Sequence, residues 1–339
     1  MSNNTTKPFL TIIIPTWNRC KYLRKNLDIL LPLAAQHKEE VSVYISDNAS
    51  DDDTPDVIKQ AKTAYPEIVT SFRQSTNIGG ANNFVDAVSK IDSTYFVLLG
   101  DDDYVMPFYF DFVLRILKEN PKTDWLCYNG TRVDNFNRFH SLRTSIHVSG
   151  HERIYNDGAE MVKDLLDSIT LMSQNVYRRE LFLEGMNRIK LDDYPGYLWF
   201  AIMCFQIVGK HSCYCDIPLI ENGYNYSDSP WLPNWPWYCI YGLGKLFKDL
   251  DECYAGTYLS WMKALNGQKN GRMHILKVIN QNRSLYGCRI REMLKYANTK
   301  LFSKQMFVYA KYPAFIATKL DKAYRGYALL DRNMKVLYS

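Results

Sequence analysis

The sequence predicts an α/β protein with a mostly parallel central sheet flanked by helices, followed by a helical C-terminal region. Over the first 120 residues, short apolar segments rich in β-branched residues alternate with segments whose apolar residues recur at helical spacing. Strands separated by helices of this length form right-handed βαβ units and a parallel sheet. Beyond residue 238 this alternation stops, and the chain becomes rich in Lys, Tyr and Leu at helical spacing.

Four strands and four helices are predicted in the first third of the chain. Thr54 and Pro55 give the clearest helix start, because Thr caps free N–H groups and Pro suits the first helical position. The predicted strands are Phe9–Ile14, Val41–Ser46, Ile68–Phe72 and Tyr95–Leu99. The predicted helices follow Arg19, begin at Thr54, cover Gly80–Lys90, and run from Pro107 to Leu117.

The middle of the chain has a less regular pattern. Short strands and polar turns are predicted from Trp125 to His147. After them we expect a helix over Ala159–Leu166, a strand near Thr170–Tyr177, a buried helix over Leu198–Val208 and a strand over His211–Cys215.

Composition excludes several classes of protein. With 47% hydrophobic and 23% charged residues, the 339-residue chain is neither disordered nor fibrous. No segment approaches the roughly 20 apolar residues that cross a bilayer, and the N-terminal residues lack the features of a secretion signal. The 8 Cys are scattered without the spacing of zinc ligands, as expected of reduced thiols. We therefore expect a cytoplasmic protein.

Charge is distributed unevenly along the chain. From Lys245 to Ser339 there are 18 Lys and Arg but 6 Asp and Glu, whereas acidic residues predominate before Lys245. Basic helices interleaved with aromatic rings can lie on an anionic membrane, peripherally and on its inner face. The alternative is an ordinary helical region with basic solvent-facing sides. The basic residues are Lys295, Lys300, Lys304, Lys311, Lys319 and Lys322, and they are interleaved with the aromatic residues Phe302, Phe307, Tyr309, Tyr312 and Phe315 and with Met306.

Polar segments follow three of the predicted strands. They are Pro15–Arg19, Asp47–Ser50 and Asp101–Asp103. In an open parallel sheet, ligands bind beyond the carboxyl ends of the strands, so these segments are the candidate site. Asp47 can accept hydrogen bonds from a base or ribose, or it can simply form a turn.

Asp101, Asp102 and Asp103 leave a buried strand together. Adjacent carboxylates repel one another, and a divalent cation with oxygen ligands relieves the repulsion. The alternative is a solvated acidic turn beside the helix that begins at Pro107. By contrast, Asp51–Asp53 precedes a helix start and is explained by the electrostatics of the helix end.

Four motifs in this order resemble those of family 2 inverting glycosyltransferases, which have the GT-A fold. The motifs are Thr11–Arg19, Ile45–Ser50, Asn77–Gly80 with Asn83, and Tyr95–Asp103. The resemblance is strong over residues 9–117 and fades afterwards, and it favours the type that builds bacterial surface polysaccharide. It implies a nucleotide-sugar donor, Mn²⁺ or Mg²⁺ on the diphosphate, and a sugar hydroxyl as acceptor.

The resemblance also assigns roles to individual residues. Those that contact the donor are Pro15, Thr16, Asn18, Asp47, Asn77, Gly79, Asn83 and Asp101. Asp47 meets the base, Asn77 and Gly79 pass under the nucleotide, and Asp101 lies on the ribose side. The metal ligands are Asp102 and Asp103, and alignment on Pro107 favours Asp102. That alignment puts Gly100 where many members have the first Asp.

An inverting transfer also needs a general base for the acceptor hydroxyl. Family members usually place an acidic residue before a helix, and here the candidates are Asp192 and Asp193, of which we favour Asp193. The alternative is a pair of exposed turn carboxylates. An aromatic segment is a candidate acceptor wall, or else packs as a buried loop: Tyr224, Tyr226, Trp231, Trp235, Trp237 and Tyr238.

The sequence thus predicts a metal-dependent inverting glycosyltransferase that uses a nucleotide-diphosphate sugar, UDP favoured. The expected acceptor is a glycan or lipid-linked glycan in capsule or lipopolysaccharide synthesis, and no nucleic-acid partner is expected. The GT-A domain is predicted over residues 1–237, with a donor half (1–120) and an acceptor half (121–237). A basic helical region is predicted over residues 238–339. The alternatives are a catalytically silent glycosyltransferase-like binding protein, a peripheral membrane scaffold, or an enzyme that transfers to water.

Overall fold

The chain forms two compact units in the computed structural model. The first comprises Met1–Asp193 with Leu198–Ser227, and the second comprises Tyr194–Tyr197 with Asp228–Ser339. The structure describes residues 7–134, 140–141, 152–190, 192–224, 232–267, 269–296, 300–314, 316–317 and 319–320. Tyr226, Trp231, Phe315 and Lys322, which the sequence analysis singled out, lie outside the described residues.

The first unit is built on one sheet, in which the described residues form ten strands. They are β1 (Leu10–Thr16), β2 (Val41–Asp47), β3 (Val69–Arg73), β4 (Tyr95–Leu98), β5 (Tyr104–Val105), β6 (Thr123–Asp134), β7 (His140–Ser141), β8 (Glu152–Tyr155), β9 (Asn175–Arg178) and β10 (His211–Tyr224). Their order across the sheet is β3-β2-β1-β4-β9-β6-β10-β5, with β7 beside β6 and β8 beside β10.

Helices connect these strands. In the first unit they are α1 (Cys20–Ala35), α2 (Thr54–Ala64), α3 (Gly80–Lys90), α4 (Tyr109–Glu119), α5 (Gly158–Leu165), α6 (Arg179–Met186) and α7 (Leu198–Gln206). Two 3₁₀ segments, Leu166–Ile169 and Met172–Gln174, precede β9. All the helices predicted in the first third are present.

The predicted α/β architecture is confirmed, with a parallel front half. β1 pairs in parallel with both β2 and β4, and β2 pairs in parallel with β3. β9 is antiparallel to its neighbours β4 and β6, so the sheet as a whole is mixed. Because β1 is buried on both faces, Ile12, Ile13 and Ile14 are fully covered. Burying each such side chain contributes roughly 1.5–3 kcal/mol.

Two strands are longer than the sequence predicts. β6 is one strand of 12 residues where short strands and turns were expected, and β10 has 14 residues rather than five. The two run in parallel, with register shifts around Pro218. Polar residues interrupt the apolar pattern but are satisfied across the strands; Asn129, for example, donates to Asp216 at 3.0 Å. The hydrophobic pattern therefore ends before the strands do.

The second unit is helical, as predicted for the C-terminal region. After a 3₁₀ turn at Leu232–Asn234 come α8 (Trp235–Trp237), a π-helical turn (Tyr238–Gly242), α9 (Leu243–Leu250), α10 (Thr257–Gly267), α11 (Lys269–Gln281), α12 (Arg283–Leu294) and α13 (Lys300–Lys311). Ile275, Leu276, Tyr286 and Met293 lie in its buried core. Among the described residues, none of the helices combines the length and apolar character needed to span a membrane.

Candidate active site

The carboxyl ends of the parallel strands bring the predicted polar segments to one edge of the sheet. Thr16 and Asp47 are paired directly at the ends of β1 and β2. Asp101, Asp102 and Asp103, here called the acidic turn, follow β4 on the other side of β1. The site therefore arises from strand register, which places residues far apart in sequence on neighbouring strands.

Asp101 is held by two side chains of the first motif. The Thr16 hydroxyl donates to its Oδ2 at 2.8 Å, and Arg19 Nε donates to its Oδ1 at 2.7 Å. Burial raises the pKa of the Asp101 carboxyl to about 6, although the Arg19 charge and the two hydrogen bonds oppose that rise. Asp101 thus links the first motif to the fourth.

Arg19 also reaches the neighbouring carboxylate. Its Nη2 donates to Asp102 Oδ2 at 2.5 Å, and its guanidinium lies 4.3 Å from the centre of the Tyr22 ring. One cation therefore bridges two carboxylates. The sequence analysis placed Arg19 in a motif without giving it a role.

Asp103 points to a different part of the sheet. It accepts hydrogen bonds from the Ser173 hydroxyl, from Gly223 N at 2.9 Å and from the Asn222 side chain. Burial, together with the Asp102 charge, raises the pKa of Asp103 to about 7. It therefore connects the acidic turn to the 3₁₀ segment before β9 and to the end of β10.

Gly100 has close neighbours at the start of the acidic turn. Its N–H donates to the Ser173 hydroxyl at 2.8 Å. A Cβ at this position would lie 2.9 Å from Asp103 Oδ2 and 3.3 Å from Asp102 Oδ1. A side chain would therefore crowd both carboxylates. Asn26 fixes the same turn, donating to Gly100 O at 3.2 Å and Asp103 O at 2.6 Å.

Asp47 lines a pocket whose lining does not include the acidic turn. Its Oδ1 accepts from Ser50 N at 2.9 Å, whereas its buried Oδ2 has no hydrogen-bond partner among the described residues. Arg73 Nε, at the end of β3, lies 3.6 Å from that Oδ2. The pocket has a volume of about 410 Å³ and is also lined by Pro55, Ile58 and Phe72. A buried, unpartnered carboxylate oxygen is suited to an N–H donor of a ligand.

The loop residues predicted to contact a donor form an internal network. Asn18 N donates to the Ser50 hydroxyl at 2.9 Å, and the Asn18 side chain accepts from Asp51 N at 2.7 Å. Asn48 donates to Asn77 Oδ1 at 2.9 Å, and the same oxygen accepts from Gly79 N. These bonds shape the surface that Asn18, Asn77 and Gly79 expose.

Asn83 and Pro15, two further predicted donor residues, are covered by the fold to different degrees. Asn83 is buried and exchanges hydrogen bonds with Ser46, accepting from its hydroxyl at 2.8 Å and donating to its carbonyl at 3.0 Å. Pro15 is partly buried within β1. In this structure Asn83 joins α3 to β2.

The candidate base residues have a local setting. Asp193 accepts a hydrogen bond from Lys190 N at 3.1 Å, which closes a turn, and Asp192 is exposed. That hydrogen bond does not connect Asp193 with the acidic turn. The placement of Asp193 near an acceptor stays a prediction.

The carboxylates of the acidic turn differ in how well they could bind a divalent metal. Asp102 fits best, because its side chain is 27% exposed against 7% for Asp101. Within the described part of the chain, no group of three or more His, Cys, Asp or Glu side chains is arranged to hold a metal. The described residues thus supply only some of the ligands that a metal needs. This suits Mg²⁺ or Mn²⁺, which commonly take their remaining ligands from substrate phosphates.

Comparison with known families decides the assignment. The model of glycosyl transferase family 2 matches residues 11–185, which include all four sequence motifs and the acidic turn but not Asp192, Asp193 or β10. The chain belongs to glycosyl transferase family 2. The resemblance read from the sequence is therefore confirmed.

Curated relatives match parts of the chain. An uncharacterized protein of Mycobacterium bovis is 33% identical over 126 residues, which are 37% of this chain and 35% of that protein. The abequosyltransferase RfbV of Salmonella typhimurium is 33% identical over 96 residues, 28% of either chain. The chain thus spans about a third of the length of the mycobacterial relative.

Solved structures support the GT-A fold over nearly the whole chain. TarS of S. aureus (residues 1–349) superposes with a TM-score of 0.55 at 12% identity, covering 94% of this chain and 91% of TarS. The mannosyltransferase PcManGT of Pyrobaculum calidifontis, solved with GDP-Man and Mn²⁺, gives 0.53 at 13% identity, covering 94% and 88%. At such identities the likeness establishes the fold of this family 2 member, as predicted.

Several site residues were not identified from the sequence. Arg73 and Ser173 are 26 and 70 positions from the carboxylates they face. No local pattern links them. Arg19 did carry a signal, because a basic residue at the start of a helix opposes the helix dipole.

Proposed function

We propose that the chain is a metal-dependent inverting glycosyltransferase acting from a nucleotide-diphosphate sugar. One observation carries the proposal: Asp47 at the end of β2 and the acidic turn after β4 lie on either side of β1 at the same sheet edge, and Asp47 Oδ2 has no hydrogen-bond partner among the described residues. The first suits a base and the second a metal-bound diphosphate. Residues 1–120 then form the donor half of a domain over 1–237.

UDP is the favoured nucleotide. Asp47 Oδ2 can accept a hydrogen bond from a ligand, and Arg73, 3.6 Å away, can donate one to it. The imide edge of uracil offers an N–H flanked by carbonyls and so satisfies both groups. TarS has been solved with UDP-GlcNAc, which supports the choice, whereas PcManGT with GDP-Man shows that the fold also takes guanine.

In the reaction, the acceptor oxygen forms a bond to the anomeric carbon as the bond from that carbon to the diphosphate oxygen breaks. Asp193 takes the proton of the attacking hydroxyl, and Asp192 is the alternative base. Asp102 is the main ligand of Mn²⁺ or Mg²⁺, with Asp103 as the alternative. When bound, the cation neutralises charge on the leaving diphosphate. The hydrogen bond from Thr16 to Asp101 holds the acidic turn in position.

The proposed acceptor is a glycan or lipid-linked glycan in surface polysaccharide synthesis. The basic C-terminal helices support docking on the inner face of an anionic membrane, where a lipid-linked acceptor would lie. In this unit Phe307 is 45% and Leu320 43% exposed, beside basic residues of α13 and the segment after it. Rings and aliphatic chains among Lys side chains are typical of interfacial helices.

Thermal shift against nucleotides tests the proposal. We expect UDP with Mn²⁺ to raise the melting temperature more than either alone, and Asp102→Asn to abolish the gain from Mn²⁺. Turnover of a UDP-sugar onto a lipid-linked glycan should fall at least 100-fold in Asp193→Ala but stay near wild type in Asp192→Ala. Donor binding without turnover in any variant would indicate a silent binding protein, and release of free sugar would indicate transfer to water.

A further inference from the structure

We propose that Arg19 is a built-in counter-ion of the acidic turn. The Arg19 guanidinium releases Asp102 to a divalent cation only when the cation arrives together with a donor diphosphate. The inference rests on the proposed function and deepens it. It predicts that cation and donor bind cooperatively, because neither alone displaces the guanidinium.

The guanidinium of Arg19 contacts two carboxylates, one through Nε (the Nε arm) and one through Nη2 (the Nη2 arm), and these carboxylates differ in exposure. The Nε arm reaches Asp101, whose side chain is 7% exposed, at 2.7 Å, and the Nη2 arm reaches Asp102, 27% exposed, at 2.5 Å. An ion pair exchanges partners most readily where water and ions reach it. The Asp102 arm is therefore the one that opens, while the Asp101 arm keeps Arg19 in the site.

The position of Arg19 at the start of α1 supports a role beyond helix formation. Arg19 is the N-cap residue, with φ −136° and ψ 38°, and its side chain makes no capping hydrogen bond. Ser, Thr, Asp or Asn is favoured there, and a cation at this end opposes the helix dipole. Asp52 from another loop accepts from Cys20 N at 3.0 Å instead. Arg19 thus departs from the usual preference at an N-cap, and its ion pairs with Asp101 and Asp102 compensate for this.

Competition for the carboxylate follows from charge. The guanidinium stays protonated at any working pH, so it leaves Asp102 only by displacement. With Arg19 in place, its positive charge offsets part of the attraction of Asp101 and Asp102 for a free divalent cation. A diphosphate adds negative charge both for the cation and for the released Nη2 arm. The combined partner therefore displaces Arg19 where the free cation does not.

The test is a Mn²⁺ titration of the full chain followed by electron paramagnetic resonance, with and without UDP. In the donor-free protein, Arg19→Met should bind Mn²⁺ about tenfold more tightly than wild type, and the double variant with Asp102→Asn should lose that gain. The factor by which UDP tightens Mn²⁺ binding should fall in Arg19→Met. Arg24→Met, which removes an exposed Arg from the same helix, is the matched control and should match wild type.

Arg19→Lys guards against misfolding of the Met variant. A Lys keeps the positive charge but replaces the forked guanidinium with a single ammonium, so it should give a smaller gain in donor-free Mn²⁺ affinity than Met. Unchanged or weaker donor-free Mn²⁺ binding in both folded variants overturns the inference. If UDP and Mn²⁺ bind wild type together but Arg19 variants behave like wild type, only this inference fails. If wild type binds no Mn²⁺ even with UDP, both this inference and the metal-dependent function fail.

Discussion

The Ser173 hydroxyl donates a hydrogen bond to Asp103 Oδ2, 70 residues earlier in the chain, and accepts one from Gly100 N at 2.8 Å. One small side chain thus joins the acidic turn after β4 to the 3₁₀ segment that precedes β9. Tyr128 donates to the Ser173 carbonyl at 2.7 Å and so extends the connection into β6. The acidic turn is therefore shaped by the middle of the chain as well as by its own strand.

Ser173→Ala should destabilise the protein. It leaves a buried N–H and a carboxylate oxygen without partners, at a cost of about 1–3 kcal/mol in the free energy of unfolding. Urea denaturation measures this loss. Ser89→Ala, which removes an exposed hydroxyl bonded to Asp86 O, should change stability by less than about 0.5 kcal/mol. Equal effects of the two substitutions would contradict the role given to Ser173.

The pH dependence of stability should carry the signature of Asp103. Its pKa is raised from 3.8 to about 7 in the folded protein, so the folded state holds a proton that the unfolded state releases at lower pH. The contribution is complete below about pH 4 and is lost as pH rises through about 7. In metal-free protein, wild type should therefore lose stability relative to Asp103→Asn over this range.

The control for the pH experiment is Asp56→Asn, an exposed carboxylate on α2. The difference in the free energy of unfolding between Asp56→Asn and wild type should change far less between pH 4 and about 7 than the difference for Asp103→Asn. A stability difference between wild type and Asp103→Asn that is independent of pH would show that Asp103 is charged in both states.

Asp47→Asn should weaken UDP binding by about 10- to 100-fold, as expected when a charged hydrogen-bond acceptor is lost in a buried pocket. Isothermal titration calorimetry measures the affinity. Arg73→Met should weaken binding less, because the Arg73 side chain is 50% exposed. Unchanged affinity in Asp47→Asn would place the base elsewhere.

Sequence reasoning predicted the position of a residue correctly where that position follows from its own strand. The ends of β1, β2 and β4 were found because buried apolar runs stop at Thr16, Asp47 and Gly100, where polar residues begin. The same edge of a parallel sheet collects these ends, so the candidate site followed from the pattern alone.

The partners of those residues could not be predicted in the same way. Ser173, Asn222 and Gly223 reach Asp103 only because β9 pairs with β4, and β6 and β10 follow β9 across the sheet. Polar residues and bulges hide the length of β10 from the sequence pattern. The orientation of each carboxylate is decided by these long-range contacts. For that reason the sequence left Asp102 and Asp103 as alternatives, whereas the structure shows Asp103 bonded to Ser173 and Gly223.

Gly196→Ala should be more damaging than an equivalent change elsewhere in the second unit. Gly196 has φ +81°, and a Cβ there would lie 2.5 Å from Cγ of Tyr238. Gly256 is the matched control, because it has φ +88° with nothing within 4 Å of an added Cβ. We expect Gly256→Ala to cost about 1–2 kcal/mol through backbone strain alone, and Gly196→Ala a further 1–3 kcal/mol or so through overlap. Thermal unfolding of the two variants measures the difference, and equal losses would mean that Tyr238 moves aside freely.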